Sequence, residues 1–517
     1  MMQSSTGQRL AYFFVTALSL SVGWAIRGNF GHEYGAMLPG ALAAMAVVLL
    51  SSRGDWLDAV PFFAMFGALG WSFGGSISYM QVVAYTHSGH SPSVLYGFAN
   101  LFVIGFLWAA LGGIGTALPA VADRRRLAEF FPPLLLVLFF WWLQGVAIEP
   151  ALRARGVELD WYDTDWLAAL LALVAATSLA LSRRRIDRGS SLVLHLSLGW
   201  WLGFGVLVLL LGLRMTPPRG DNWAGCLGMT AGAIVYCLRN GLAEVERAGV
   251  VSGFIGGIGF AAASMLKLVE VTSGYETNWH SILEQTTGFF GGIGIAVAMA
   301  GLANRAAPVD LDQQDEPAVR WAKPLAVAFV ILGIPYLNLR KNVADWTRVH
   351  AVAEEMYGIP AWLWFDLAVL VAALGVAVLI VRHMRRPLAV VPTSRLGQGQ
   401  GLYLLLLAIM VIGNFEKALV SFARIRLVTE GVIHCTALLC AVIVLISDSK
   451  QAQEIPEAIT AQRSSVWVRL VFVGLTAALL AVFADWAIVR AIYGDRFAGH
   501  AGLHIRFGPN ATTQRSR

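Results

Sequence analysis

Apolar stretches of about 20 residues recur along this chain from Leu10 to Tyr493, and short polar segments separate them. That is the length a helix needs to cross the hydrocarbon core of a bilayer. Of the 517 residues, 57% are hydrophobic and 14% are charged, whereas about 25% of the residues in soluble domains are charged. A water-soluble fold would leave much of this apolar surface uncovered. The pattern therefore predicts an all-α, polytopic transmembrane helix bundle of about 15 spans.

Two arginine clusters fix the predicted orientation. They lie at residues 124–126 and 183–188, after the fourth and sixth apolar stretches. The positive-inside rule places both loops in the cytoplasm, so alternation puts the N-terminus inside and the tail, residues 494–517, outside. The short linkers lack targeting signals, which favours a bacterial inner membrane.

The net charge of +6 is spread over such loops and forms no single basic face. We therefore expect membrane lipids, and not nucleic acid, as partners.

An internal repeat is indicated by similar sequences at similar spacing. LSVGW at 20–24 matches LSLGW at 196–200, an offset of 176 residues, and GALG at 67–70 matches GGIG at 256–259, an offset of 189. A third match, LGGIG against FGGIG, begins at residues 111 and 290. We predict that helices one to four recur as helices seven to ten. Six spans, an even number, separate the copies, so the repeats should run parallel. Alternatively, glycine-rich membrane helices resemble each other by composition alone.

The repeat predicts four divisions of the chain. They are a first membrane repeat at 1–191, a second repeat core at 192–321, C-terminal helices at 322–493 and an extracytoplasmic tail at 494–517.

The segment at residues 27–35, RGNFGHEYG, is the most specific local signal. Its three glycines permit sharp backbone turns, so it predicts a break close to membrane depth. An arginine here can hold an anionic group, and a histidine or glutamate can take a proton. An interfacial hairpin with a structural Arg–Glu pair is the alternative. The candidate binding residues of this segment are Arg27, Asn29, His32, Glu33 and Tyr34.

Other polar segments in the predicted outer loops supply further candidates. In the second copy, the segment equivalent to residues 27–35 follows Pro217 and Pro218. A loop stiffened by these prolines is the alternative to a binding role. Glu270 lies three residues after Lys267, so an interfacial ion pair competes with a binding role. The segment around residue 340 can grip a carboxylate or phosphate, or form an amphipathic interfacial helix. The candidates are Arg219, Asp221, Asn222, Glu270, Arg340, Lys341 and Glu416.

Common signatures of metal binding and nucleotide binding are missing from the sequence. The four cysteines show no CxxC spacing, and His87 and His90 form a weak ligand set. No Walker A or HExxH pattern occurs. We therefore expect no metal and no cofactor.

Three functional hypotheses remain. A secondary transporter, coupled to an ion or proton, is favoured by the repeat and the glycine-interrupted helices; its substrate would be a small polar solute, anionic or sugar-like. A membrane-embedded transferase acting on a lipid-linked or glycan substrate is favoured by the clustering of polar residues on the predicted outer face. A non-catalytic scaffold has no feature in its favour.

Overall fold

A computed structural model describes residues 6–31, 34–51, 53–74, 77, 79–157, 165–213, 215, 222–306, 319–421, 424–447, 463–494 and 496–497. Helices dominate the described residues, and the fold is all-α. In chain order the helices are α1 (Thr6–Phe30), α2 (Met37–Leu50), α3 (Gly54–Leu57), α4 (Val60–Gly74), α5 (Met80–Tyr85), α6 (Ser91–Ala117), α7 (Arg124–Leu143), α8 (Glu149–Arg153), α9 (Asp165–Arg183), α10 (Arg188–Gly203), α11 (Asn222–Arg239), α12 (Ala243–Ala263), α13 (Leu266–Ser273), α14 (Trp279–Ala303), α15 (Ala322–Ala328), α16 (Ile334–Arg348), α17 (Ala361–Arg385), α18 (Arg395–Ser421), α19 (Arg424–Ile446) and α20 (Arg463–Tyr493).

Short non-α segments interrupt this pattern. Leu118–Ala120 is a 3₁₀ turn, and Gln144–Ile148, Phe204–Leu210 and Phe329–Gly333 are π-helical. The strands β1 (Glu355–Met356) and β2 (Ile359–Pro360) form an antiparallel hairpin. Its two turn residues both have positive φ, 55° at Tyr357 and 72° at Gly358, as a two-residue type I′ turn requires.

Twelve helical stretches in the described part of the chain are long and apolar enough to cross a membrane, as expected of an integral multi-pass membrane protein. Helices α2 and α4 are apolar but shorter, with 14 and 15 residues. The 18-residue α11 is not among the twelve. The total of about 15 crossings stays a prediction.

The chain packs as two units, and neither is continuous in sequence. The first comprises residues 1–75, 115–121 and 269–461, and the second comprises residues 76–114, 122–268 and 462–517. These two units are defined by which residues pack together in space. The four divisions expected from the sequence repeat, with boundaries at residues 191, 321 and 493, stay predictions.

Glycine allows the helices of the first unit to approach closely. A Cβ atom on Gly288 of α14 would lie 2.7 Å from Trp24 Cβ on α1, and one on Gly292 would lie 2.6 Å from Ala17 Cα. Because residues 288 and 292 meet progressively earlier parts of α1, the two helices run antiparallel. Small residues four apart are a common way to pack membrane helices. Trp71 of α4 packs edge-on against Trp24, with ring centroids 5.1 Å apart.

Glycine also allows helices of the second unit to approach closely. A Cβ atom on Gly228 of α11 would lie 2.0 Å from the carbonyl oxygen of Gly199 on α10. A Cβ atom on Gly113 of α6 would lie 2.7 Å from Ser252 Oγ on α12. Neither site tolerates a larger residue unless the helices separate.

Candidate functional site

The turn after α1 shapes the candidate site. Gly31 has a φ of +92° and its amide donates to the carbonyl of Arg27 at 3.1 Å, which ends the helix. Helix α2 begins at Met37, whose amide donates to the carbonyl of Tyr34 at 3.1 Å. A Cβ atom on Gly35 would lie 2.3 Å from the carbonyl oxygen of Gly31. The turn therefore depends on glycine at both places.

A buried ion pair joins α1 to α14. Arg27 Nη1 donates to both carboxylate oxygens of Glu284, at 3.0 and 3.3 Å, and each side chain is 2% exposed. The guanidinium carbon of Arg27 lies 4.8 Å from the ring centroid of Trp24, within the range of a cation–π contact. His280, one turn before Glu284 on α14, places Nε2 at 3.6 Å from the carboxylate and is 42% exposed. Arg27, which the sequence predicts as a binding residue, therefore pairs with a carboxylate on a helix that is far away in sequence.

Two lysines from other helices bind the last carbonyls of α1. Lys341 Nζ on α16 donates to the carbonyl of Phe30. Lys417 Nζ on α18 donates to the carbonyl of Asn29 at 2.5 Å, and it also lies 3.0 Å from the carboxylate of Asp345. The last carbonyls of a helix lack intrahelical donors and carry a partial negative charge, so ammonium groups stabilise them.

A chain of amide side chains continues from α1 to α19. Asn29 Nδ2 donates to Asn414 Oδ1 at 2.6 Å, and Asn414 Nδ2 donates to Glu430 Oε2. Asn414 is fully buried and Glu430 is 2% exposed. One hydrogen-bonded chain thus links α1 to α18 and α19, and its first bond joins residues 385 apart in sequence.

Two asparagines on α16 carry acceptor oxygens with no hydrogen-bond partner. Asn338 and Asn342, one turn apart, are 0% and 1% exposed. Asn338 Nδ2 donates to the carbonyls of Tyr34 and Ile334, at 3.1 and 2.8 Å, and Asn342 Nδ2 donates to the carbonyl of Gly413 at 3.0 Å. These carbonyls fix each amide, because a flipped amide would turn its oxygen toward another oxygen. Oδ1 of both residues is buried and unpaired.

We call the polar residues that are hydrogen-bonded around the end of α1 the polar cluster. All of them belong to the first unit. The polar cluster comprises Arg27, Asn29, Glu284, Asn338, Lys341, Asn342, Asn414, Lys417 and Glu430.

No known family model, curated protein or solved structure matches this chain. The chemistry of the polar cluster therefore carries the functional argument. Each of its cations has at least one acceptor within the fold, although Arg27 Nε has none, and two of its amide oxygens have no donor. Such an arrangement suits a ligand that donates hydrogen bonds.

Five of the sequence candidates lie in or beside the polar cluster. Arg27, Asn29 and Lys341 belong to it, and the carbonyl of Tyr34 accepts from Asn338. Arg340 lies on the same helix as Lys341. It binds the carboxylate of Asp366 on α17 through Nε and Nη2, at 2.9 and 3.2 Å.

The other candidates are placed elsewhere or lie outside the described residues. Asn222 is buried in the second unit and donates to Asp165 Oδ2 at 2.8 Å. Glu270 is half-buried on α13, and the side chain of Glu416 is exposed. His32, Glu33, Arg219 and Asp221 lie outside the described residues.

Several residues of the polar cluster were not among the sequence candidates. A weak signal existed for three of them. Asn338 and Asn342 share one helical face, and Gly413-Asn414-Phe415 repeats the Gly-Asn-Phe of the first turn. Glu284 gave no such signal, because nothing near it in sequence indicates its partner. The missed residues are Glu284, Asn338, Asn342, Asn414, Lys417 and Glu430.

Proposed function

We propose that this protein is a secondary transporter for a small, uncharged, sugar-like solute, and that the polar cluster recognises the solute. The observation that carries the proposal is the pair of buried, unpaired oxygens of Asn338 and Asn342 on an apolar, membrane-length helical stretch. A buried acceptor without a donor costs about 1–3 kcal/mol. Solute hydroxyl groups would remove that cost, so the site would prefer the loaded state.

The ion pairs of the polar cluster favour an uncharged solute over an anion. Arg27 is bound by Glu284, and Lys417 by Asp345. Lys341 is bound by a backbone carbonyl. An anion would have to compete with these internal partners, whereas a hydroxyl needs only the free amide oxygens.

A duplicated architecture, typical of secondary transporters, is supported by one packing correspondence. Gly23 of α1 approaches Pro39 of α2, where an added Cβ would lie 2.4 Å from Pro39 Cα. Gly199 and Gly228, which lie 176 and 189 residues later, make a similar close approach between α10 and α11. Those are the offsets found in the sequence matches. This correspondence supports our proposal of a parallel repeat. We also propose a bacterial inner membrane as the location, because the short linkers lack targeting signals.

A second candidate function, a transferase acting outside the cytoplasm, is favoured by His280 and Glu284. The imidazole is 42% exposed and lies 3.6 Å from a buried carboxylate, and histidine is the side chain that most often acts as a general acid or base. Arg27 lies near the end of α1 and Glu284 near the start of α14. With the N-terminus in the cytoplasm, both would lie toward the outer face.

Uptake by vesicles containing the purified full-length protein tests the transporter proposal. Radiolabelled neutral sugars, polyols and organic anions would be supplied with and without a pH or Na⁺ gradient. We expect gradient-dependent uptake of one neutral compound. Asn338→Ala and Asn342→Ala should each raise its half-saturating concentration about 3- to 10-fold, as loss of one hydrogen bond predicts.

Asn100→Ala is the matched control. Asn100 Nδ2 donates to the carbonyl four residues earlier, that of Tyr96, at 2.7 Å, as Asn338 does to Ile334. Asn100 lies in the second unit, so its loss should leave the half-saturating concentration unchanged. Uptake of none of these compounds, or an equal effect of all three substitutions, would contradict the proposal. A new lipid or glycan product made by wild-type protein but not by His280→Gln would establish the transferase instead.

A further inference from the structure

A groove runs along one face of α17, which is the most exposed of the candidate spans. Its volume is about 580 Å³. Leu374, Val378 and Val381 line it and are 59%, 65% and 47% exposed. Their spacing of four and then three residues puts them on one helical face. None of the most apolar window of α17 is buried within the chain, so hydrocarbon would contact this face.

Three arginines line the basic end of the groove. Arg382, Arg385 and Arg386 are exposed, and among the described residues none of their side chains forms an ion pair. Residues 387–394, which follow the helix, contain no aspartate or glutamate. Three positive charges therefore meet an apolar surface without a counter-charge from the described part of the chain.

Another basic segment of the same protein is only partly balanced by acidic residues. Arg183 donates to Asp187 at 2.6 Å, and Arg188 lies 3.7 Å from Glu129, whereas Arg184 and Arg185 form no ion pair with a described residue. The end of α17 is therefore distinguished by the apolar groove that its arginines line.

The dimensions of the groove match one lipid leaflet. Leu374 and Arg385 are eleven residues apart, which spans about 16 Å of helix. Half of the hydrocarbon core measures about 15 Å. An acyl chain lying on Leu374, Val378 and Val381 would thus bring its headgroup phosphate to the arginines.

We propose that this groove is a binding site for an acidic phospholipid. One acyl chain packs on the apolar stripe, and the guanidinium groups of Arg382, Arg385 and Arg386 hold the headgroup phosphate through charge-assisted hydrogen bonds. The guanidinium group suits this role because its planar donors match phosphate oxygens in pairs. This site is separate from the polar cluster and does not depend on the proposed transport function.

Native mass spectrometry of the full-length protein tests the proposal. The protein is released from vesicles of equal parts phosphatidylglycerol and phosphatidylcholine, and retained lipid is counted. We expect phosphatidylglycerol to be retained preferentially. The triple substitution R382Q/R385Q/R386Q should weaken its retention on the order of 100-fold, as three basic residues near a lipid surface predict. Val378→Asn should weaken it without changing the charge.

The matched control is R183Q/R184Q/R185Q, which removes the same charge from another basic segment and should retain phosphatidylglycerol. Inorganic phosphate at millimolar concentration should not displace the lipid, because it makes no contact with the apolar stripe. Equal retention of both lipids by the wild type, or equal loss in both triple variants, would overturn the proposal. Thermal unfolding midpoints of the variants show whether a loss reflects misfolding: a triple variant that unfolds like wild type and still binds phosphatidylglycerol also overturns it.

Discussion

The sharpest test of the polar cluster is Glu284→Gln. This substitution keeps the shape of the side chain but removes the charge that faces Arg27 at 3.0 Å. The guanidinium group would stay 2% exposed after losing the carboxylate of Glu284, because α14 packs against α1 through glycine.

The expected loss is large because both groups are buried. Two unit charges about 4 Å apart attract by about 4 kcal/mol at an effective dielectric constant of 20. Removing one partner of a buried pair costs about 3–5 kcal/mol in measured cases. The cation–π contact with Trp24 survives the substitution and offsets part of this. At about 2 °C per kcal/mol for a large domain, the unfolding midpoint should fall by about 6–10 °C.

The chain's own cysteines provide the assay. Cys440 on α19 of the first unit is buried, as are Cys226 and Cys237, whereas Cys435 is exposed. In a Cys435→Ser background, a dye that fluoresces on reaction with thiols reports unfolding as the buried cysteines become accessible. The midpoint is then read from a temperature scan in detergent.

Two further variants complete the test. Arg27→Met combined with Glu284→Gln removes both charges and should recover most of the lost stability, because no uncompensated charge stays buried. Glu149→Gln alters a more exposed pair, in which Arg153 lies 3.9 Å from Glu149, and should change stability by less than about 1 kcal/mol. A Glu284→Gln midpoint within about 2 °C of wild type, or a double variant no more stable than Glu284→Gln, would refute the reasoning.

Two other predictions use the same assay. Gly288→Ala should lower the unfolding midpoint, because the added Cβ would lie 2.7 Å from the Cβ of Trp24. Gly375→Ala is the control and should leave the midpoint unchanged, because no atom lies within 4 Å of its added Cβ. Equal effects of the two substitutions would contradict close packing of α1 and α14. Burial alone would raise the pKa of Asp187, but hydrogen bonds from the Ser190 amide and Arg183 hold it below its ordinary value. This stabilisation is present above the unfolded pKa and is lost as pH falls through the folded pKa. Asp187→Asn should therefore cost about 1 kcal/mol at pH 7 and less at pH 3, and a cost independent of pH would be the contrary result.

The all-α fold could be predicted because apolar stretches long enough to cross hydrocarbon recur along the chain. The π-helical segments, such as Phe329–Gly333, could not be predicted in this way. They depend on how a helix fits its neighbours, and apolar composition is the same on either side of them.

The polar cluster could be predicted only in part, because its bonds link residues far apart in sequence. Arg27 and Glu284 are 257 residues apart, and Asn29 and Asn414 are 385 apart. Local spacing indicated that the turn after α1 was chemically unusual. It did not indicate that α14, which is lined with glycine, would bring Glu284 to this turn. Arg27, for which we expected an anionic ligand, pairs with a carboxylate of the protein itself.

The lysines at the end of α1 also bear on how the protein is made. Phe30 precedes Lys341 by 311 residues and Asn29 precedes Lys417 by 388. At about 5–20 residues per second, a ribosome needs about 20–80 s to supply the second lysine after the first helix has emerged. For that interval the last carbonyls of α1 must be hydrated or bound by another protein in the insertion machinery. The hydrogen bonds that cover the end of α1 are therefore completed only after Lys417 has been synthesised.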